Sequence, residues 1–273
     1  MTNKKQSELN LRYQGFLETP FLFKYIFNGL HPLILKNKTK NHSFNNVVNN
    51  EPRLGKLVEY FVFNELIGIK SVNVLKTNIQ IIKNKITIGE IDALIKHINK
   101  VIHLEIIYKF YLYDNLINTS EINKWIGPNR NDSLSKKLNK LKTKQFPLLF
   151  NKETILFLST LGLDANLIHQ RIYFKAQLFV PKQMNNYKFD YINNLCIKGY
   201  YLSLNEVQEL PSSTLFYIPK KLDWIIDPHS LVKWMTHKQF LETISSYLTM
   251  NISPLCWIKK GNQLSKIFIV YWR

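Results

Sequence analysis

The chain has 273 residues, 45% of them hydrophobic and 13% aromatic, enough to build a substantial core in one large domain or two small ones. A formal net charge of +18 and a pI near 9.7 favour polyanionic partners, nucleic acid first, although an AT-rich genome would also produce this lysine surplus, with arginine only at Arg12, Arg53, Arg130, Arg171 and Arg273. No run of some 18 apolar residues suggests a membrane span, the polar N-terminus lacks a signal-peptide stretch, and Cys196 and Cys256 give neither metal spacing nor a disulfide framework, so a reducing cytoplasm is the expected compartment.

Taken in chain order, residues 1–10 read as a loose tail. Residues 11–36 place Phe16, Leu17, Phe21, Leu22, Tyr25, Ile26 and Leu30 at helical spacing, and Pro20 splits them into two short helices. Residues 37–50 are a polar, mobile loop by composition. Pro52 opens a helix to about Leu66, with Leu54, Leu57, Val58, Phe61 and Val62 inward and Gly68 as the stop. Strands follow over 72–83, 86–95 and 101–112, joined by turns at Asn84-Lys85 and Lys96–Lys100. A loop over 115–131 leads to a helix over about 133–146, capped by Asp132 or Ser133, with Leu134, Leu138 and Leu141 on one face. Beyond it, 172–180, 197–204, 213–218 and 266–272 read as strands and 229–249 as one amphipathic helix. The expectation is a single elaborated α/β domain with a core over about 52–150 and a C-terminal extension over 151–273.

The chemistry concentrates between Gly89 and Lys109. Glu90 and Asp92 interrupt one apolar strand and Glu105 the next, although burying an unpaired carboxylate is costly. Clustered carboxylates on adjacent strands are how a protein holds a hard divalent cation through oxygen. Side chains at i and i+2 share a strand face, so Glu90 and Asp92 point one way, and Glu105, Ile107 and Lys109 point one way. A hairpin turn centred near 98–99 sets Asp92 roughly opposite Glu105, with about 5.5 Å between Cα atoms, where both reach one Mg²⁺ or Mn²⁺. Glu59, on the preceding helix, can add a third carboxylate.

This order of a helix Glu, a strand Asp, a strand Glu and a nearby Lys resembles the PD-(D/E)XK nuclease superfamily. Gly89-Glu90-Ile91-Asp92 is similar to the Gly-x-x-Asp of its RecB-like branches. Leu54-Gly55-x-x-x-Glu59, Thr87-x-Gly89-Glu90-x-Asp92, Leu104-Glu105-x-x-x-Lys109-Phe110-Tyr111-Leu112 and Trp125-x-Gly127-Pro128-Asn129-x-x-Asp132-x-Leu134, with Lys137 and Gln145, together resemble a bacterial domain-of-unknown-function family placed in that superfamily. Leu222-Asp223-Trp224 and Trp272 resemble it more weakly. The resemblance implies a restriction-endonuclease-like mixed central sheet flanked by helices with C-terminal elaborations. It also implies Asp92 and Glu105 as metal ligands assisted by Glu59, Lys109 on water or phosphate, and Gln145 orienting the site. One departure stands out. The lysine usually follows the acid by two positions, where this chain has Ile107; Lys109 lies about 13 Å along the strand rather than about 6.6 Å.

Each candidate has a plainer reading. Asp92 and Glu105 could be held in structural ion pairs by Lys96, Lys109 or Lys137. Glu59 could face solvent, and Glu90 could either back the ligands or be an exposed strand end. His103 reads as a core or surface histidine facing away from Glu105, and Gln80 as an ordinary strand residue. Trp125 and Arg130 lie in an unusual loop; a structural role competes with stacking on a base and meeting a phosphate. Lys136, Lys137, Lys140 and Lys144 form either a solvated face or a guide for a nucleic-acid backbone. The expected function is Mg²⁺- or Mn²⁺-dependent hydrolysis of DNA or RNA. The alternative is a nucleic-acid-binding or scaffold protein that keeps the fold without the chemistry.

Overall fold

The computed structural model describes residues 2–35, 39–40, 42–46, 48, 51–184 and 186–273, with the side chains of residues 2–4 left aside. Residues 37, 38, 41, 47, 49 and 50 of the expected polar loop lie outside the described residues. The elements run α1 (Thr2–Glu18), α2 (Leu54–Ile67), β1 (Val72–Lys83), β2 (Ile86–His97), β3 (Lys100–Tyr113), β4 (Trp125–Ile126), α3 (Leu134–Lys140) and α4 (Lys152–Thr160). They continue with β5 (His169–Pro181), β6 (Ile197–Leu202), α5 (Leu204–Gln208), β7 (Leu215–Tyr217), α6 (His237–Thr249), β8 (Leu255–Lys260) and β9 (Gln263–Ile269). The class is mixed α/β. Among the described residues the strands form a nine-stranded sheet of order β1-β2-β3-β5-β6-β9-β8-β7, with β4 on β3. No described helix is long and apolar enough to cross a membrane.

The chain divides into two compact units interleaved in sequence. The first comprises Phe21–Tyr108 and Lys136–Lys175; the second comprises Met1–Pro20, Lys109–Ser135 and Ala176–Arg273. Strands β3 and β5 and helix α3 pass from one unit into the other.

In the first unit β1, β2 and β3 form an antiparallel meander. Asn84 and Lys85 turn the chain between β1 and β2 with φ of 49° and 66°, the left-handed pair that a two-residue hairpin requires. Ile98 and Asn99 make the second turn, and Ile98 takes a φ of 56°, an uncommon conformation for a β-branched residue. The meander buries Ile79, Ile81, Ile91 and Leu94 in one cluster with Leu148, Leu149 and Leu158. Helix α2 follows an extended Arg53 and buries Leu57, Val58, Phe61, Val62 and Leu66. It ends at Gly68, which keeps a right-handed conformation (φ −71°).

The second unit pairs β5 with β6 and β6 with β9 in parallel, and β9 with β8 and β8 with β7 antiparallel. Gly199 on β6 is required by close approach: a Cβ there would lie 2.0 Å from the Lys266 carbonyl oxygen. Phe216, Phe240, Ile244, Ile258 and Ile267 form the centre of this unit's core.

Several expectations are corrected. Residues 2–18 are helical rather than a loose tail, because Leu9, Arg12, Tyr13 and Phe16 make one buried stripe at helical spacing. Pro20 onward forms no second helix; Phe21 and Pro32 instead bridge to Lys175 and Ile172 on β5. The helix expected over 229–249 begins only at His237. Thr236 caps it, accepting from the Gln239 N–H while Gln239 bonds back, and Met235 before it bridges Phe216. Strand β8 and helix α4 were not anticipated.

Candidate functional site

The β2–β3 ladder pairs His97 with Lys100, Lys96 with Val101, and so on to Ala93 with Leu104. The same register continued by one step sets Asp92 opposite Glu105. At that step the Asp92 side chain takes over from the backbone: its Oδ2 accepts the Ile106 N–H at 2.7 Å. Asp92 is partly buried and Glu105 fully buried, with an exposure of 0%. Two carboxylates drawn from neighbouring strands therefore enter one poorly solvated place.

Glu105 is held on both oxygens. Its Oε2 accepts from the Gln145 amide, and its Oε1 lies 3.1 Å from the His103 Nε2. Burial holds the His103 imidazole down at about 4, so the ring is neutral near pH 7 and the contact is a hydrogen bond rather than an ion pair. The network assigns the tautomer. Nε2–H donates to Glu105, and Nδ1 accepts from the Gln170 amide at 3.4 Å, whose other proton goes to the Phe146 carbonyl at 2.7 Å. His103 also packs edge-on against Phe146, with ring centroids 5.5 Å apart. The expectation that His103 faces away from Glu105 is thus corrected. Residues 103 and 105 are separated by two, share a face, and touch. That i, i+2 spacing was the signal, and it was misread.

Gln145 reaches Glu105 because of a local irregularity. Helix α3 gives way to a widened turn over Leu141–Gln145, closed by the Phe146 N–H on the Leu141 carbonyl at 2.9 Å. In an uninterrupted α-helix, residues eight apart are about 80° out of alignment. The wide turn, a device common at functional sites, reduces that offset, and the Lys137 Nζ donates to the Gln145 Oε1 at 2.9 Å. A chain of hydrogen bonds thus runs from Lys137 through Gln145 and Glu105 to His103 and Gln170.

The electrostatics match this burial. Desolvation first, then repulsion from Glu105, pushes Asp92 up to about 7; the Ile106 N–H and the Lys137 ammonium pull the other way. Glu105 is also raised, by desolvation, against the opposing influence of Lys137, Gln145 and Lys140. Glu59 is raised by burial, although the Lys56 ammonium lies 2.7 Å from its Oε2. Lys56 also donates to Asn78. Glu90 is exposed, and its charge is felt at both Glu59 and Glu105.

The first unit thus brings together Glu59, Glu90, Asp92, Glu105, Lys137 and Gln145. The other three candidates belong to the second unit, each with its own partner. Lys109 pairs with Asp132. Trp125 has an exposure of 0% and packs between Tyr113 and Phe189, with centroids 5.0 and 4.9 Å away, so its ring lies in the core and presents no face to a base. Arg130 donates to Asp114 at 2.9 Å and lies over the Trp272 ring, with its side chain 40% exposed.

Among the described residues no three His, Cys, Asp or Glu side chains come together as a metal cluster. The donor set is instead a pair of carboxylates. It suits Mg²⁺ or Mn²⁺, which commonly take one or two protein carboxylates and complete the shell with water and substrate phosphate. The free Oδ1 of Asp92 and the remaining lone pairs of Glu105 are the available ligand positions. Glu59 is paired with Lys56, and its charge is felt at Asp92.

No curated protein and no solved structure matches this chain. One family model does, the Domain of unknown function (DUF1853), over residues 31–270, and the chain belongs to that family.

Proposed function

We propose that the protein is a divalent-cation-dependent phosphodiesterase acting on nucleic acid, built on the plan of the PD-(D/E)XK nucleases. The observation that carries this reading is the pairing of Asp92 and Glu105, two carboxylates from adjacent strands raised in proton affinity by a shared desolvated setting. Such pairs are favoured at sites where a cation or a proton is handled.

Asp92 and Glu105 would hold Mg²⁺ or Mn²⁺. Bound there, the ion supplies charge neutralisation at the phosphate and a lowered pKa for the attacking water. The chain's own groups do the rest. The Ile106 N–H fixes the Asp92 carboxylate, leaving one oxygen outward. Gln145 and neutral His103 fix Glu105 from opposite sides. Lys137, rather than Lys109, puts its charge beside both acids and supplies the cation missing at Ile107. The net charge of +18 suits a polyanionic substrate.

The test is cleavage of plasmid DNA and of a structured RNA with Mg²⁺ or Mn²⁺, with EDTA as control. Cleavage that requires the cation and is lost in Glu105→Gln is expected; the substitution keeps the shape of the side chain and one of its two acceptor oxygens, so it serves either Gln145 or His103 but not both. Cation-independent cleavage, or full activity in Glu105→Gln, contradicts the assignment.

A second reading has its own support: both Glu105 oxygens are engaged within the protein, and among the described residues no third ligand joins the pair. On that reading the protein binds nucleic acid without cutting it. Salt-sensitive DNA binding that is indifferent to divalent cations, with no cleavage, distinguishes it.

A further inference from the structure

The first unit carries a polar cavity of about 330 Å³, made where the 31–34 segment, the β2–β3 turn and the start of β5 meet. Five nitrogen-bearing side chains line it: His31, His97, Lys100, His169 and Arg171. No carboxylate lines it, and among the described residues no ion pair involves any of the five. Its apolar lining includes Leu33 and Ile102, both buried.

This composition is unusual for a site with no partner. Two permanent cations, Lys100 and Arg171, share a small cleft. Their effect on each other's neighbourhood is visible at His169, whose imidazole is held below its ordinary range by partial burial and then by both of these charges. Arg171 is itself partly desolvated, which lowers its own proton affinity, and its Nη1 donates to the Gln170 carbonyl at 2.8 Å. That bond anchors one arm of the guanidinium and leaves the other donors for a ligand. Three histidines would suit a transition metal, but among the described residues no three of them approach closely enough to hold one. An oxyanion is the species that this array lacks.

We propose that this cavity binds a phosphomonoester group, with Arg171 and Lys100 on the phosphate oxygens and the three histidines donating around them. A dianion matches two fixed cations, where a carboxylate would neutralise only one. The planar Arg fork pairs two oxygens of a phosphate at once. The volume exceeds that of a bare phosphate and lies at the small end of ligand pockets, which begin near about 300 Å³, so an attached organic group rests on Leu33 and Ile102. The site is separate from the carboxylate pair and does not depend on the activity proposed for it.

The experiment is calorimetric titration of the full chain with inorganic phosphate in a buffer free of divalent cations. Saturable binding at one site per chain is expected. Arg171→Ala and Lys100→Ala should each weaken it by about tenfold, the loss of one charge-assisted contact, and Lys142→Ala should leave it unchanged. Lys100 is exposed at a turn, so its variant reports on binding even if Arg171→Ala is poorly folded. Asp92→Asn should bind phosphate like wild type, which separates this result from the fate of the cleavage proposal. Parallel titrations with adenosine 5′-monophosphate, and with a DNA oligonucleotide bearing a 5′-phosphate or a 5′-hydroxyl, identify the source of the group: preference for the nucleotide over phosphate marks a small ligand, and preference for phosphorylated over unphosphorylated DNA marks a nucleic-acid end. Phosphate binding that is absent, or equal in wild type, Arg171→Ala and Lys100→Ala, overturns the proposal.

Discussion

Asp92→Asn is expected to abolish cation-dependent cleavage and, at pH 8, to make the protein more stable. The two effects share one cause. Asp92 reaches about 7 from an ordinary 3.8 chiefly because burial disfavours its charged form. At about 1.4 kcal/mol for each tenfold change in proton affinity, that corresponds to roughly 4 kcal/mol of strain when the group is ionised. Asparagine keeps an oxygen for the Ile106 N–H, now as a neutral hydrogen bond that is weaker by about 1 kcal/mol. A net gain of about 3 kcal/mol at pH 8 follows, as sites built for chemistry are commonly stabilised by their removal. The gain should vanish near pH 4, where Asp92 is protonated and resembles the amide. Thermal or urea unfolding at both pH values, beside the cleavage assay, checks it. A variant that is destabilised at pH 8 would mean that Asp92 is a structural ion-pair partner.

Wild-type stability should in turn fall as pH rises from about 4 to 7, and Mg²⁺ should restore it only at the upper end. The sign follows from proton counting. Asp92 is raised in the folded state, and Glu105 is raised with it. Between the ordinary carboxyl range and about 7 the native state therefore holds more protons than the unfolded chain, and stability drops with pH. Above that window the charge on the pair is fully developed and a dication relieves it. Binding to the folded state alone at a hundred times the dissociation constant contributes about 2.7 kcal/mol. For a chain of this size that raises Tm by several degrees, at about 2–4 °C per kcal/mol. At pH 5 protons occupy the same oxygens and the shift should be small. A Tm shift of equal size at pH 5 and pH 8, or one that survives in Asp92→Asn, would place the cation elsewhere.

How much of this was legible in the sequence depended on how local the signal was. The turn centred at 98–99 was read from polar residues between two apolar runs, and the observed His97–Lys100 pairing has that centre. Helix α2 was read from its apolar stripe and its Gly68 stop. What was lost were features decided by packing at a distance. Phe21 to Ile26 have helical spacing, yet Phe21 and Leu22 bond to β5 and the residues after them bend. For Trp125 the sequence leaves a structural role and base stacking both open, because the two rings that bury it come from residues 113 and 189. The wide turn at 141–145, which aims Gln145 at Glu105, has no residue signature, since Leu-Lys-Thr-Lys-Gln suits an ordinary helix equally well. Lys109 was chosen for its place on the strand face of Glu105, but its nearest acid is Asp132, 23 residues on. Of the three lysines the sequence offers as partners for these acids, the fold of α3 places Lys137 beside them.

The most direct test of the central claim is a Mn²⁺ titration followed by electron paramagnetic resonance on wild type and on the Asp92→Asn, Glu105→Gln double variant, at pH 8. The carboxylate pair predicts saturable quenching of the free Mn²⁺ signal by wild type and its loss in the double variant, with both proteins folded. Equal Mn²⁺ uptake by the two proteins, or no uptake by wild type, would contradict it.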